Sequence, residues 1–219
     1  MTMSFRPPRT DSVSRYVALG DSFSAANSEA GEIGWAHVLG TALRAVNPKV
    51  SCHNLARVGA TSGDVAERQV PHALTLQPDL VTLSCGVDEI LAATGFDLGT
   101  FAGHVSVALR TLRRERPETT VVTVTYPDFV RLLTLPRASK AALGSALRQV
   151  NGAIRSLARR HGIVCVELAL DRSISIDASS PAEIWRRQNS LLVDAVVSLV
   201  APTRRGVVGL SPSASAHGR

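Results

Sequence analysis

The sequence predicts an α/β fold, a three-layer sandwich around a doubly wound, five-stranded parallel sheet. Two observations predict it. Short, continuous apolar runs rich in valine alternate with longer stretches of helical periodicity, as in a sheet buried on both faces and joined by crossover helices. The first three apolar runs also end in small or polar residues, where such sheets place their ligands.

The elements follow in order. The first strand is Tyr16–Gly20, YVALG, which stops at a polar turn, Gly20-Asp21-Ser22-Phe23. A helix is expected over about Ile33–Val46. The second strand, Val50–Asn54, is followed by the polar stretch NLARVGATSGD and a helical pattern over Gly63–Leu76. The third strand, Leu80–Cys85, runs into CGVDEIL, and a helix spans Thr100–Arg116. The fourth strand, Thr120–Thr125, is β-branched throughout, which suits a strand. A long helix over Ser139–His161, a fifth strand over Ile163–Leu168 and a last helix over Pro181–Val200 complete the order.

One domain is expected over residues 15–202, with tails at 1–14 and 203–219, the latter ending GLSPSASAHGR. The length of 219 residues and the 45% hydrophobic content suit a single core. No apolar run reaches the ~18 residues of a membrane span. The first residues, MTMSFRPPRTDS, carry no apolar signal core. A cytoplasmic protein without a membrane partner is therefore expected. Cys52, Cys85 and Cys165 are widely spaced within apolar runs and read as free thiols. No metal or organic cofactor is implied.

The formal net charge is +6, and all 24 basic residues except Lys49 and Lys140 are arginine. That bias suits a GC-rich genome, as in actinobacteria. The charge admits an acidic carrier protein or a sulfate or phosphate ester as partner or substrate. Nucleic acid is not expected, because the arginines are dispersed and aromatic residues make up only 4%.

Three strand-end segments converge: GDSF, NLARVGATSGD and CGVDEIL. Ser22 is either a nucleophile or a cap for the following segment. Asp88 and Glu89 are either a solvated helix start or paired carboxylates that move a proton or bind a cation.

Taken together these segments resemble the SGNH (GDSL-type) hydrolase family, over roughly residues 15–200. The resemblance implies a flavodoxin-like sheet and acyl hydrolysis or transfer. It places Ser22 at the nucleophile position and gives Gly59, within Asn54-Leu55-Ala56-Arg57-Val58-Gly59-Ala60-Thr61, a backbone N–H in an oxyanion hole. GWAHVL and TYPDF carry it further. The third block departs: the family has Gly-x-Asn-Asp, and this chain has Gly86-Val87-Asp88-Glu89. An ionised Asp88 accepts hydrogen bonds and cannot donate. About 4 Å from an oxyanion, at an effective dielectric of about 20, it would cost about 4 kcal/mol, roughly a thousandfold in rate.

The fourth block departs further. The family carries Asp-x-x-His before its last helix; the segment here is SISIDASSPAEIW, with Ser175 and Ala178 at those positions. No histidine lies between His161 and His217, so a shifted alignment restores none. His104, early in the helix after the third block, is the histidine best placed to approach the site. Asp177 remains beside the lost motif.

Three functions are expected from these residues. The first is a non-hydrolytic enzyme or heteromeric subunit in natural-product metabolism, acting by elimination, cyclisation or group transfer on a carrier-bound or sulfate- or phosphate-bearing intermediate. The second is a serine esterase or acyltransferase with a non-standard base. The third is a non-catalytic partner of an active homologue. Expected catalytic positions are Ser22, Gly59 and Asp88; expected substrate contacts are Asp21, Glu89, Arg57 and Asp177. Expected partners are a small-molecule or carrier-bound substrate and a second, homologous subunit.

Overall fold

Five short parallel strands organise the chain: β1 (Arg15–Gly20), β2 (Ser51–Asn54), β3 (Leu80–Ser84), β4 (Thr120–Val124) and β5 (Val164–Val166). The computed structural model describes residues 13–25, 34–92, 95–168 and 181–200. The sheet order is β2-β1-β3-β4-β5. Val17 lies beside His53 on one side and Val81 on the other, Val81 beside Val121, and Val122 beside Val164. Every residue of β3 and β4 is buried, which is why these strands read as short runs of apolar and small β-branched residues without charge. The expected α/β sheet is therefore present.

The helices are α1 (Trp35–Val46), α2 (Ser62–Asp64), α3 (Val70–Thr75), α4 (Val87–Leu91), α5 (Leu98–Glu115), α6 (Arg137–His161) and α7 (Pro181–Val200). From β1 the chain crosses to β2 at the edge, then returns past β1 to β3. Right-handed crossovers in opposite directions put their helices on opposite faces. Accordingly α1 packs with α7, and α5 packs with α6. The core joins both layers to the sheet through Trp35, Tyr16, Phe101 and the leucines of α5. Val13 is fully buried, and the backbone N–H groups of Ser14 and Arg15 both donate to Asp79.

Two elements differ from expectation. The helix expected over Gly63–Leu76 changes register, with a π-helical stretch at Val65–Gln69 between α2 and α3. Pro71 opens α3 and has no N–H to donate one turn back, which favours a wider turn before it. The segment after β3 forms a helix of its own, α4, entered through Gly86 at φ +123°. Among the described residues no helix is long and apolar enough to cross a membrane.

Candidate functional site

The order reverses between β1 and β3, so the crevice at their carboxyl ends is the topological switch point. The chain leaves β1 at Gly20, whose φ is +148°; a Cβ there would lie 1.9 Å from the Ser84 carbonyl oxygen. The Gln69 side chain, in the π-helical stretch, accepts from Gly20 N (2.8 Å) and donates to Gly20 O (2.9 Å). The buried glutamine thus pairs with the backbone as a neighbouring strand would.

Asp21, expected as a substrate contact, lies beneath the crevice instead. It is fully buried and accepts from Gly86 N (2.8 Å), Val87 N (2.8 Å) and Phe23 N (3.1 Å). It ties the turn after β1 to the start of α4. Burial, and then the nearby Asp88 charge, push its carboxyl up to about 7, against the pull of its backbone donors. Ser24 and Ser84 share a hydroxyl hydrogen bond, and Trp35 Nε1 donates to Ser24 (3.1 Å).

Above this floor, Ser22, Gly59 and Asp88 meet. Gly59 has φ +79°, a conformation glycine adopts freely. Its N–H donates to Asp88 Oδ2 at 2.7 Å. The Ser22 N–H donates to the same oxygen at 3.0 Å, and the Ser22 hydroxyl donates to Oδ1 at 2.6 Å. The expectation was a carboxylate near the oxyanion position that the Gly59 N–H serves; the Ser22 N–H is a second donor to that point. The carboxylate occupies that point, because an acceptor-only group at the first turn of α4 takes the nearest N–H groups.

Glu89 is not a freely solvated helix start. It accepts from Ser62 N (2.9 Å) and Ser62 Oγ (2.8 Å), and Ser62 Oγ lies 3.2 Å from His104 Nδ1. His104 therefore reaches the carboxylate pair through Ser62, not through Ser22. This link joins residues 62, 89 and 104, and the sequence reading missed Ser62; its position within NLARVGATSGD was the only signal. Of the other histidines, His37 and His72 are exposed, His53 lies in β2, and His161 Nε2 is 3.0 Å from Ser106 Oγ.

Arg57 is exposed, and its backbone N–H donates to Gly20 O at 3.1 Å. Its side chain lines a cleft of about 380 Å³ that includes Gly59. Tyr126 follows β4; its ring meets Phe23 edge-on at 5.0 Å, and Asn151 holds both its N–H and its C=O at 2.8 Å. Its hydroxyl is buried and, among the described residues, has no hydrogen-bond partner, and burial pushes the phenol well above its ordinary range. Asp177, Ser175 and Ala178 lie outside the described residues. Among the described residues no group of three or more His, Cys, Asp or Glu could hold a metal ion.

A doubly wound sheet with a Gly-Asp-Ser turn after β1 and a glycine N–H turned toward it defines the class of flavodoxin-like serine hydrolase folds. Residues 18–194 match the model of the GDSL-like lipase/acylhydrolase family, and the chain belongs to that family. The fold is similar to a putative GDSL-like lipase from Parabacteroides merdae: TM-score 0.68, 16% identity, 88% of this chain and 98% of that one covered. It is also similar to a catalytic mutant of an acetylxylan esterase from Geobacillus stearothermophilus (0.66, 14%, 87% and 97%). An extracellular lipase from Streptomyces rimosus is a third (0.59, 19%, 84% and 99%). No curated protein matches the sequence.

Proposed function

We propose that this family member does not carry out serine-dependent ester hydrolysis and that its site has been turned to another reaction. The observation that carries this reading is the Asp88 carboxylate held by the Ser22 and Gly59 N–H groups. Acyl transfer develops a negative oxygen that needs such donors free, and each is worth about 10²–10³ in rate. Here a substrate carbonyl would have to displace a carboxylate and then develop charge beside it. The Ser22 hydroxyl, for its part, faces a carboxylate and no imidazole among the described residues.

The chemistry that fits is proton transfer by the paired carboxylates Asp88 and Glu89. It would serve elimination, cyclisation or group transfer on a carrier-bound or phosphate- or sulfate-bearing intermediate of a natural-product pathway. A homologous protein subunit beside this chain is part of the same proposal. The test is p-nitrophenyl acetate turnover by wild type and Ser22→Ala. The reading requires equal rates within about twofold.

The 2.6 Å contact between Ser22 Oγ and Asp88 Oδ1 favours one second reading. In it Asp88 is the base of a serine–carboxylate dyad, accepting the hydroxyl proton as Oγ attacks the ester carbonyl. That reading requires wild type to exceed Ser22→Ala by tenfold or more.

A further inference from the structure

On the β2 edge of the sheet, the cleft of about 380 Å³ is lined by Arg57, Gly59, Asp64, Arg68, Gln69 and His72, among others. We infer that this cleft binds the oxyanion group of a phosphate or sulfate monoester, with Arg57 as its principal contact and Arg68 and His72 beside it. The inference names the anchoring group of the substrate proposed above, and it rests on that reading only for the bound molecule being a substrate.

Spacing supplies the first support. Asp64, Arg68 and His72 are four residues apart and line one wall of the cleft, as i, i+4 neighbours share a helix face. That wall is rigid, because buried Gln69, next to Arg68, is bonded to both the N–H and the C=O of Gly20. The facing loop is fixed as well, through Arg57 N to Gly20 O (3.1 Å) and Ala60 N to Arg57 O (3.2 Å). Both walls are thus built on the strand end that carries Ser22.

Charge supplies the second. Among the described residues, the one acidic side chain in the cleft lining, Asp64, is already engaged. It accepts from Thr61 N (3.0 Å) and Thr61 Oγ1 (2.9 Å) and pairs with Arg68 at 3.3 Å. The Thr61 hydrogen bonds first, and then the Arg68 and Arg57 guanidinium groups, hold its carboxyl below the usual range. Among the described residues Arg57 has no ion-pair partner. A guanidinium offers five donors in a fork that matches tetrahedral oxyanions. Val58, 63% exposed beside it in the lining, gives apolar surface to the organic part of an ester, and the volume falls in the range of small-ligand sites, ~300–1,000 Å³.

The experiment is calorimetric titration of the full chain with phenyl phosphate, phenyl sulfate and the neutral benzyl alcohol, at constant ionic strength. The expected result is saturable binding of at least one ester and none of the alcohol, with Arg57→Gln weakening the ester roughly tenfold or more. Arg68→Gln weakens it less, and Arg110→Gln, on exposed α5 surface, leaves it unchanged. The tighter of the two esters identifies the source of the oxyanion. Arg57 is exposed, so Arg57→Gln folds as wild type does; Arg68→Gln, which breaks only an exposed pair, is the second variant. Absence of saturable binding to wild type, or binding that both variants leave unchanged, overturns the inference. Failure of the titration overturns the cleft alone, whereas a Ser22-dependent esterase that still binds the ester overturns the non-hydrolytic reading alone.

Discussion

The Ser22 hydroxyl donates to Asp88 Oδ1 at 2.6 Å while the Ser22 N–H donates to Oδ2 at 3.0 Å, so one carboxylate takes both polar groups of one serine. Gly59 N adds a third donor at 2.7 Å. Replacing the carboxylate with an amide keeps one acceptor for the two N–H groups and turns a donor toward Ser22 Oγ. Asp88→Asn alone is therefore expected to leave p-nitrophenyl acetate turnover within about threefold of wild type, since among the described residues no imidazole faces Ser22 to serve as its base. A gain of a hundredfold or more would show that Asp88 was the only block.

Asp21 makes stability depend on pH. Its carboxyl is raised in the folded chain from 3.8 to about 7, so the folded state holds a proton that the unfolded state releases. The contribution is fully present below about pH 3.8 and is lost as pH rises through about 7. Relative to Asp21→Asn, which cannot titrate, wild type loses stability across that window. Urea unfolding of both proteins between pH 4 and 8 measures the difference; a flat or rising difference would contradict it.

Two glycines of positive φ separate strain from space. Among the described residues, a Cβ at Gly59 meets nothing within 4 Å, whereas at Gly86 it meets Phe101 Cε2 at 2.9 Å and Val150 at 3.2 Å. Gly59→Ala is expected to cost about 1–2 kcal/mol, the left-handed penalty alone. Gly86→Ala adds a core clash and is expected to cost about 3 kcal/mol or more. Thermal melts check the order, at about 2–4 °C per kcal/mol for a chain of this size.

Ser62 has one hydroxyl proton, and Glu89 takes it at 2.8 Å. His104 Nδ1, 3.2 Å away, must then be the donor, which leaves Nε2 as the ring's other nitrogen for solvent or ligand. Long-range proton–nitrogen NMR of the imidazole should show the Nδ1-protonated tautomer. The Nε2-only tautomer would contradict the link, and Glu89→Gln should shift the His104 signals while leaving those of His37 in place.

The parallel sheet and its strand positions were legible because burial on both faces writes short runs rich in apolar and β-branched residues, such as LVTLS and TVVTV, directly into the chain. The aspartate at position 88, where the resemblance implies an asparagine, was equally plain. What could not be read were contacts between distant residues that carry no periodicity. Gln69 on Gly20 and Asn151 on Tyr126 are side chains standing in for backbone across 49 and 25 residues. The placement of Asp88 on both donors depends on the turn at Gly86 and on Asp21 holding that turn from below. The π-helical stretch was hidden because the apolar pattern through Gly63–Leu76 resembles that of a regular helix.

The central claim is that Ser22 is not an activated nucleophile, and intact-mass analysis after exposure to a fluorophosphonate tests it most directly. Wild type and Ser22→Ala, both folded, are expected to show the same unmodified mass. One phosphonyl adduct on wild type, absent from Ser22→Ala, would contradict the account and make Asp88 the first residue to test as the base.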